Sequence, residues 1–396
     1  MRSLKIAQLA SFRGNIGDNA NVVGTRLMLA RHLRRPIEYT NLEYLEYEPD
    51  PRWGGRKFDD DFVATANAHD LLIIGGGGFF ELAVDKSSTA TPINVSNQML
   101  ARIRVPIVFH ALGFDISAGV TPQRVVRFRK FLRYALSQER ILISVRNDGS
   151  LANLAGTIDP DLAAAVHKVP DGGFFTELTP CEHIELPPGK TTLAVNLAGD
   201  SLGRRYREAD RGDANFRLFL EQLAGVLNRW LADNENRHVV LVPHIPEDLY
   251  VLWRLLERVG PPRMRKRLTV APYIHGPEAH DYIFDIYRRS HLVLGMRFHA
   301  NVCPIALGVP TIGLITHPQI ANLYRELDLP DLAIDARGPD FGSNLWTLMA
   351  GISARREDIL SRYAALIEKM RTDVRRFHER IAALVDGSTA GQEQAA

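Results

Sequence analysis

The sequence predicts an α/β protein built as two successive halves. Three observations carry that expectation. Short, almost wholly apolar runs such as Leu71–Ile74, Val105–Leu112, Ile141–Val145 and Val309–Ile315 alternate with stretches whose apolar residues recur at helical spacing, the rhythm of buried parallel strands and crossover helices. Several of these runs end in glycine, or in a turn bearing Arg and Asp, where a strand would hand over to a helix. Between the halves, Thr176–Lys190 contains Pro180, Pro187, Pro188 and Gly189 with no apolar period and reads as an interdomain linker.

Leu4–Ala10 opens the first half as a strand. Gly14 and Gly17 then permit a tight turn, and Asp18 or Asn19 is suited to cap the helix carrying Val22, Val23, Leu27, Met28 and Leu29. This puts Asn15 and Asp18 at the carboxyl end of the first strand, the edge where open α/β sheets bind ligands. Ile37–Asn41 is a weaker strand, and the acidic, aromatic stretch to Pro51 has no period and reads as a loop. Asp59–Asp61 is read as negative charge at the start of a helix through Phe62–Ala68 rather than as a metal pair.

After Leu71–Ile74, the glycines Gly75, Gly76, Gly77 and Gly78 let the backbone present consecutive N–H groups, a nest for an anion or a closely approaching substrate. Phe80 stands where a dinucleotide fingerprint needs its third glycine. Asn94–Arg102 is helical. Pro122–Leu136 is an amphipathic helix with Arg124, Arg127, Arg129, Lys130 and Arg133, read as a solvated basic face. Ile141–Val145 ends with Arg146 at its carboxyl edge, and Asp148 can cap the next helix. Val166–Val169 closes the half, with Asp171 just beyond.

The second half repeats the rhythm. Thr192–Leu197 is a strand, and Gly199–Gly212 is an arginine-rich loop (Arg204, Arg205, Arg207, Arg211) read as solvated. Ala214–Ala232 is a long helix. His238–Val242 is a strand ending at Pro243 and His244, after which Glu247 or Asp248 opens a helix. Leu268–Val270, a helix over His280–Arg288, the strand Val309–Ile315 and a helix over Gln319–Leu327 follow. Leu345–Val385 is strongly helical and is expected to pack back across the molecule. The small, polar tail after Gly387 is expected to be disordered.

The segment that organises this half is His291–Gly308. An apolar run, His291–Leu294, is stopped by Gly295, and from Phe298 the pattern turns helical with Val302, Ile305 and Ala306 on one side. Arg297 and His299 therefore fall at a strand-to-helix joint, beside free backbone N–H groups and the positive end of a helix dipole. The guanidinium offers a planar fork for carboxylate or phosphate, and the imidazole offers a proton near neutral pH. A lone Arg-x-His is more often an ion pair and a packed histidine, so its weight depends on the rest of the chain.

The apolar fraction of 45% and charged fraction of 24% are those of an ordinary globular protein. A formal net charge of +2 argues against wholesale nucleic-acid binding. Two distant cysteines, Cys181 and Cys303, argue for a reducing compartment and against a disulfide scaffold or zinc site. The start of the sequence shows no secretory pattern, and no apolar run approaches a membrane span. The expected location is the cytoplasm, with peripheral contact at the inner face of the membrane left open.

Five landmarks occur in order: GNIGD (Gly14–Asp18), DLLIIGGGGFF (Asp70–Phe80), SVRNDGS (Ser144–Ser150), Asp171 and GMRFHANVCPIALGVPTIGL (Gly295–Leu314). In them the chain resembles the polysaccharide pyruvyltransferase family. It departs where Asn147 replaces a frequent Asp and Gly172 a frequent Pro. The resemblance implies two Rossmann-like domains facing a cleft, as in GT-B glycosyltransferases. Residues 1–178 would form the acceptor side, 190–340 the phosphoenolpyruvate side, 341–386 a helical segment and 387–396 the tail. It implies transfer of pyruvyl from phosphoenolpyruvate to a free or lipid-linked saccharide as a ketal, with no resident cofactor and no metal.

On that resemblance His299 is the proton donor, and Arg297 and Arg146 bind phosphoenolpyruvate, with Phe298 as a neighbouring wall. Asp18 is the candidate to position or deprotonate the sugar hydroxyl. Asn15, the Gly75–Gly78 loop and His244 are further substrate contacts. Two other readings stay open: a GT-B-type glycosyltransferase using a nucleotide sugar, for which the second half shows no clear acidic ribose clamp and Glu278 is only a weak candidate, and a non-catalytic glycan-binding member.

Overall fold

The apolar runs form strands that assemble into two wholly parallel sheets in the computed structural model, which describes residues 2–48, 54–206, 212–276 and 279–395. In the first half the elements are β1 (Leu4–Ala10), α1 (Ile16–Leu33), β2 (Ile37–Glu43), α2 (Asp60–Asn67), β3 (Leu71–Gly75) and α3 (Asn97–Arg102). They continue with β4 (Ile107–Leu112), α4 (Pro122–Leu136), β5 (Ile141–Val145), α5 (Ser150–Thr157), α6 (Pro160–Ala164) and β6 (His167–Lys168). The sheet order is β2-β1-β3-β4-β5-β6, every neighbouring pair parallel. Every residue of β3 and β4 is buried, as expected of strands covered on both faces.

The second half holds β7 (Thr191–Asn196), α7 (Leu202–Arg205), α8 (Gly212–Asp233), β8 (Arg237–Leu241), α9 (Pro246–Val259), α10 (Pro261–Arg267) and β9 (Leu268–Val270). Then come α11 (Ala279–Arg288), β10 (Leu292–Gly295), α12 (His299–Ala306), β11 (Thr311–Ile315), α13 (Pro318–Glu326), β12 (Ala333–Asp335), α14 (Phe341–Ala354) and α15 (Arg356–Ala395). Its order is β12-β11-β10-β7-β8-β9, again all parallel.

The chain divides into two compact units whose boundaries differ from the expected ones. The first comprises residues 2–14, Asn21–Phe175 and the chain from Glu368 onward; the second comprises Asn15–Ala20 and Thr176–Ile367. Residues 15–20 belong to the second unit because Ile16 and Ala20 are buried in its apolar cluster with Ala300 and Cys303. The expected separate helical segment 341–386 is two helices broken at Arg355, and the second of them, α15, is shared between the units. The tail expected to be disordered continues α15 to Ala395. The presumed linker is fixed within the second unit: Asp281 and Asp285 on α11 accept the N–H groups of Thr179 and Cys181, and Thr269 donates to the Glu185 carbonyl.

Within the first unit α15 supplies Phe377, His378, Ile381 and Val385, all buried. His378 links two other elements. Its Nε2 lies 3.0 Å from Nε2 of His110 on β4, and its Nδ1 lies 3.0 Å from Nδ1 of His32 on α1. Burial, opposed by the charge of Asp171, pushes His110 down to about 4. Burial, with His110 and His32 beside it, drives His378 well below the usual imidazole range. No helix among the described residues is long and apolar enough to cross a membrane.

Candidate active site

The second sheet reverses direction between β7 and β10. From β7 the chain steps outward through β8 and β9, then returns to build β10, β11 and β12 on the other side. Ligands of open α/β sheets bind at such reversals, beyond the carboxyl ends of the two central strands. Here those ends carry Asn196 and the Met296-Arg297 pair. Asn196 Oδ1 accepts the Arg297 N–H at 2.9 Å, and its Nδ2 donates to the Val242 carbonyl at 2.9 Å. From α12, Asn301 Nδ2 donates to the carbonyls of Gly295 (3.0 Å) and Arg297 (2.7 Å), while its Oδ1 accepts from the Tyr324 hydroxyl (2.8 Å). Two asparagine amides thus clamp the backbone that presents Arg297. Gly295 permits α12 to pack this closely, since a Cβ there would stand 2.5 Å from the Ala300 carbonyl oxygen.

The Arg297 guanidinium is already paired. Nε donates to Asp248 Oδ2 at 2.7 Å, and Nη2 donates to Asp248 Oδ1 and, at 2.7 Å, to Asp200 Oδ1. Asp248 is fully buried at the start of α9 and also accepts the N–H groups of Gly199 (2.8 Å), His244 (2.9 Å) and Ile245 (3.2 Å). Burial opposes the charge on Arg297, but the two carboxylates outweigh it and hold the guanidinium's proton more tightly than usual. Asp200 differs from Asp248 in being 37% exposed. Burial would raise its affinity for a proton, but Arg297 and Arg205 prevail and hold it below the usual carboxylate range. From the sequence, Arg297 is expected to offer its fork to a carboxylate or phosphate. The guanidinium instead has one deep anchor and one accessible partner, because a buried arginine needs compensating charge.

His299 is the first residue of α12 and is 3% exposed. Phe298 precedes it as the N-cap residue, its ring 5.2 Å from the imidazole and nearly perpendicular to it. The other wall is the first turn of α1: a Cβ on Gly17 would lie 2.5 Å from both Cβ and Cγ of His299. Gly17 therefore serves close approach rather than the tight turn expected of it. The expected cap is also corrected. α1 starts at Ile16, and Asn15 precedes it with its Oδ1 accepting the Gly17 N–H at 2.9 Å. Asp18 falls in the first turn, half-buried, and neither it nor Asn19 is the cap. Asn15 and Asp18 thus lie in the second unit with His299, not in the first domain expected to span residues 1–178.

His244 is fully buried, with Nε2 2.8 Å from the Tyr287 hydroxyl and no hydrogen-bond partner for Nδ1. Burial, then the charges of Arg297 and His299, lower its proton affinity well below the usual range. It is a neutral wall of the cluster.

The remaining expected residues lie in the first unit. Gly75 ends β3, and a Cβ there would stand 3.1 Å from that of His110. Gly76 has φ +101° and so needs glycine, while Gly77 accepts the Gly113 N–H at 3.1 Å and Gly78 is exposed. Arg146 is buried: Nε donates to Asp148 at 2.6 Å, and Nη1 lies 3.6 Å from Asp171. Asp171 in turn accepts from Asn21 Nδ2 at 2.6 Å and from the Gly173 N–H at 2.8 Å. Asp148 braces Arg146 while accepting the Ser150 N–H, and the N-cap position of α5 falls to Gly149.

Nothing in the sequence marks Asn196, Asp200 or Asn301, and Asp248 stands out there only as a candidate helix start. The available signal was Asp248 as third residue of a helix opened by proline, able to reach back to two backbone N–H groups. Glu278 lies outside the described residues, as do Arg207 and Arg211. Among the described residues no group of three or more His, Cys, Asp or Glu is arranged to hold a metal ion.

The sequence model of the family described as polysaccharide pyruvyl transferase matches residues 15–318, which include the Arg146, Arg297 and His299 clusters. The chain belongs to the polysaccharide pyruvyl transferase family. No curated protein matches it. Among solved structures this transferase is similar to a glycosyltransferase from Rickettsia africae, at 9% identity and TM-score 0.59, covering 97% of this chain and 99% of that one. It is also similar to a UDP-forming α,α-trehalose-phosphate synthase from Burkholderia xenovorans, at 10% identity and TM-score 0.52, covering 98% and 100%. The S. aureus MnaA–UDP structure follows at 10% identity and TM-score 0.50, covering 91% and 90%. At these identities the likeness is one of fold: this pyruvyl transferase family member has the GT-B architecture.

Proposed function

We propose that the chain transfers the pyruvyl group of phosphoenolpyruvate to two hydroxyls of a sugar in a polysaccharide or glycan precursor, giving a pyruvyl ketal and phosphate. The observation that carries this reading is that the Arg-Phe-His run, in which the chain resembles the family and which lies inside the matched residues, falls at the reversal point of the second sheet, where Arg297 is anchored and His299 is held against Gly17. Phosphoenolpyruvate presents a carboxylate and a phosphate on three carbons. A proton given to its methylene carbon makes a methyl group and leaves C2 electron-poor. One sugar hydroxyl adds to C2 and loses its proton. The bond from C2 to the phosphate oxygen breaks, phosphate leaves with the electron pair, and a second hydroxyl closes the ring. Of the two hydroxyl protons, one restores the acid and the other leaves with phosphate.

In this reading His299 is the acid, and Asp18, next to Gly17, takes the proton of the attacking hydroxyl. Asp248 keeps Arg297 in place throughout. Asp200, the accessible partner, gives up its hydrogen bond from Nη2 to an anionic group of the donor. The test is phosphate release from phosphoenolpyruvate with candidate glycans, followed by mass spectrometry for the ketal. His299→Asn is expected to remain folded and to release no phosphate above background. A folded, fully active H299N protein would remove the imidazole from the reaction.

A further inference from the structure

The basic run on α4 divides into two parts that the sequence could not separate. Arg124 and Arg127 are held toward the protein. Arg124 donates to Asp85 (2.8 and 3.0 Å) and to the Leu82 carbonyl, and Arg127 donates to the carbonyls of Asp85 and Ser87. Arg129, Lys130 and Arg133 instead line a surface groove of about 460 Å³ with Val126, Tyr134 and Asn97 of α3. Its floor is the outward stripe of the helix, where Val126, Lys130 and Arg133 recur at i, i+4 and i+7. The opposite stripe, with Phe128, Phe131, Leu132 and Ala135, is buried.

The groove is short of negative charge. Arg129 donates to the Ile158 carbonyl and lies 4.0 Å from Asp159, and Arg133 is 3.7 Å from the same carboxylate while remaining 65% exposed. The Lys130 ammonium has no hydrogen-bond or ion-pair partner among the described residues, nor has the Tyr134 hydroxyl. Three cations facing one carboxylate leave an excess of two positive charges. Beside them Val126 is 59% exposed, an apolar contact in a cationic setting. The volume lies within the range of small-ligand pockets, and the donors (an ammonium, a half-free guanidinium and a phenol) match phosphate oxygens.

We propose that this groove binds a phosphate group, carried either by an anionic phospholipid at a bilayer surface or by a soluble phosphorylated ligand. The inference uses no residue of the Arg297 cluster and does not depend on pyruvyl transfer. Two arms separate the sources, both with the full chain at physiological ionic strength. One measures co-sedimentation with phosphatidylcholine vesicles with and without phosphatidylglycerol. The other titrates inorganic pyrophosphate by calorimetry.

The variant Lys130→Ala/Arg133→Ala changes two solvent-facing side chains, and an unchanged thermal melt verifies its fold. Lys130→Arg/Arg133→Lys keeps the charge as control. Binding in at least one arm is expected, weakened roughly twenty-five-fold in the alanine pair at roughly fivefold per cation removed, and retained in the control. Binding to vesicles alone assigns the lipid source, and binding to pyrophosphate alone the soluble one. No binding in either arm, or binding that the alanine pair leaves unchanged, overturns the proposal.

Discussion

Asp248 and Arg297 meet through both oxygens of the carboxylate and two nitrogens of the guanidinium, and the same carboxylate accepts three backbone N–H groups from the loops after β7 and β8. The arginine's position is therefore set by a fully buried group that also fixes the loops around it. Asp248→Asn keeps the shape but strands a buried guanidinium with one remaining carboxylate. It is expected to lower the stability of the folded chain by about 3 kcal/mol, read as a lower urea midpoint with little change in slope. Asp200→Asn removes only the accessible partner and is expected to cost under about 1 kcal/mol. In the proposed reaction D200N alters KM for phosphoenolpyruvate more than kcat.

Gly17 has no side chain because His299 occupies the space a side chain would need. Gly17→Ala is expected to displace the imidazole and cut phosphate release roughly a hundredfold, the usual cost of misplacing a reacting group by about an ångström. In a His299→Gly background, which removes the side chain that a Cβ on Gly17 would meet, the same substitution should cost little further stability, since the two positions act through one contact. Phosphate release by Gly17→Ala and the urea midpoints of the four proteins decide this.

The His32–His378–His110 chain makes stability depend on pH. Burial lowers the proton affinity of all three imidazoles; Asp171 and Glu379 oppose this at the two ends, while Arg31, Arg34 and Arg375 reinforce it at His32. A histidine held below its unfolded value contributes fully above about pH 6.5, where the unfolded chain is also neutral. As pH falls the unfolded chain binds protons that the folded one refuses, and stability is lost down to the folded value. Lowering His110 from 6.5 to about 4 corresponds to ~3 kcal/mol lost over that interval. Thermal melts from pH 7.5 to 4.5 should fall steeply below 6.5, and His378→Leu should flatten the curve.

Arg146 packs on Gly113, where a Cβ would stand 2.6 Å from Nη2 and 2.9 Å from Cζ. Gly113→Ala is expected to force the guanidinium from Asp148 and Asp171 and to destabilise the chain by about 2 kcal/mol through overpacking. Arg146→Met, which removes the charge, should leave Asp171 with uncompensated burial and cost at least as much. Chemical denaturation of both variants checks the ordering.

The strands were legible because a sheet buried on both faces writes itself as continuous apolar runs such as Leu71–Ile74 and Leu292–Leu294. The short β12 was not, since Ala333–Asp335 is half-exposed and too brief to leave a pattern. Arg297 and His299 were legible as residues at a joint, but not their surroundings. The partners of Arg297 lie 97 and 49 positions earlier in the chain, and neither Asp200 nor Asp248 differs in sequence from an ordinary loop or helix-start aspartate. The role of Gly17 was hidden likewise, because a helical glycine shows its purpose only when the group packed against it is known. The sharing of α1 and α15 between units depends on which buried surface each turn meets, which no periodicity encodes.

The buried residues of α15 from Met370 to Val385 complete an interior otherwise drawn from residues before position 176. On the ribosome the first sheet therefore emerges long before the helix that closes it, with residues 176–367 still to be made. At elongation rates of about 5–20 residues per second, that interval is roughly 10–40 s. For that time the nascent chain displays an unfinished apolar surface around His110, so the half translated first is finished last, and slower elongation or a premature stop after Ile367 would leave it a client for chaperones.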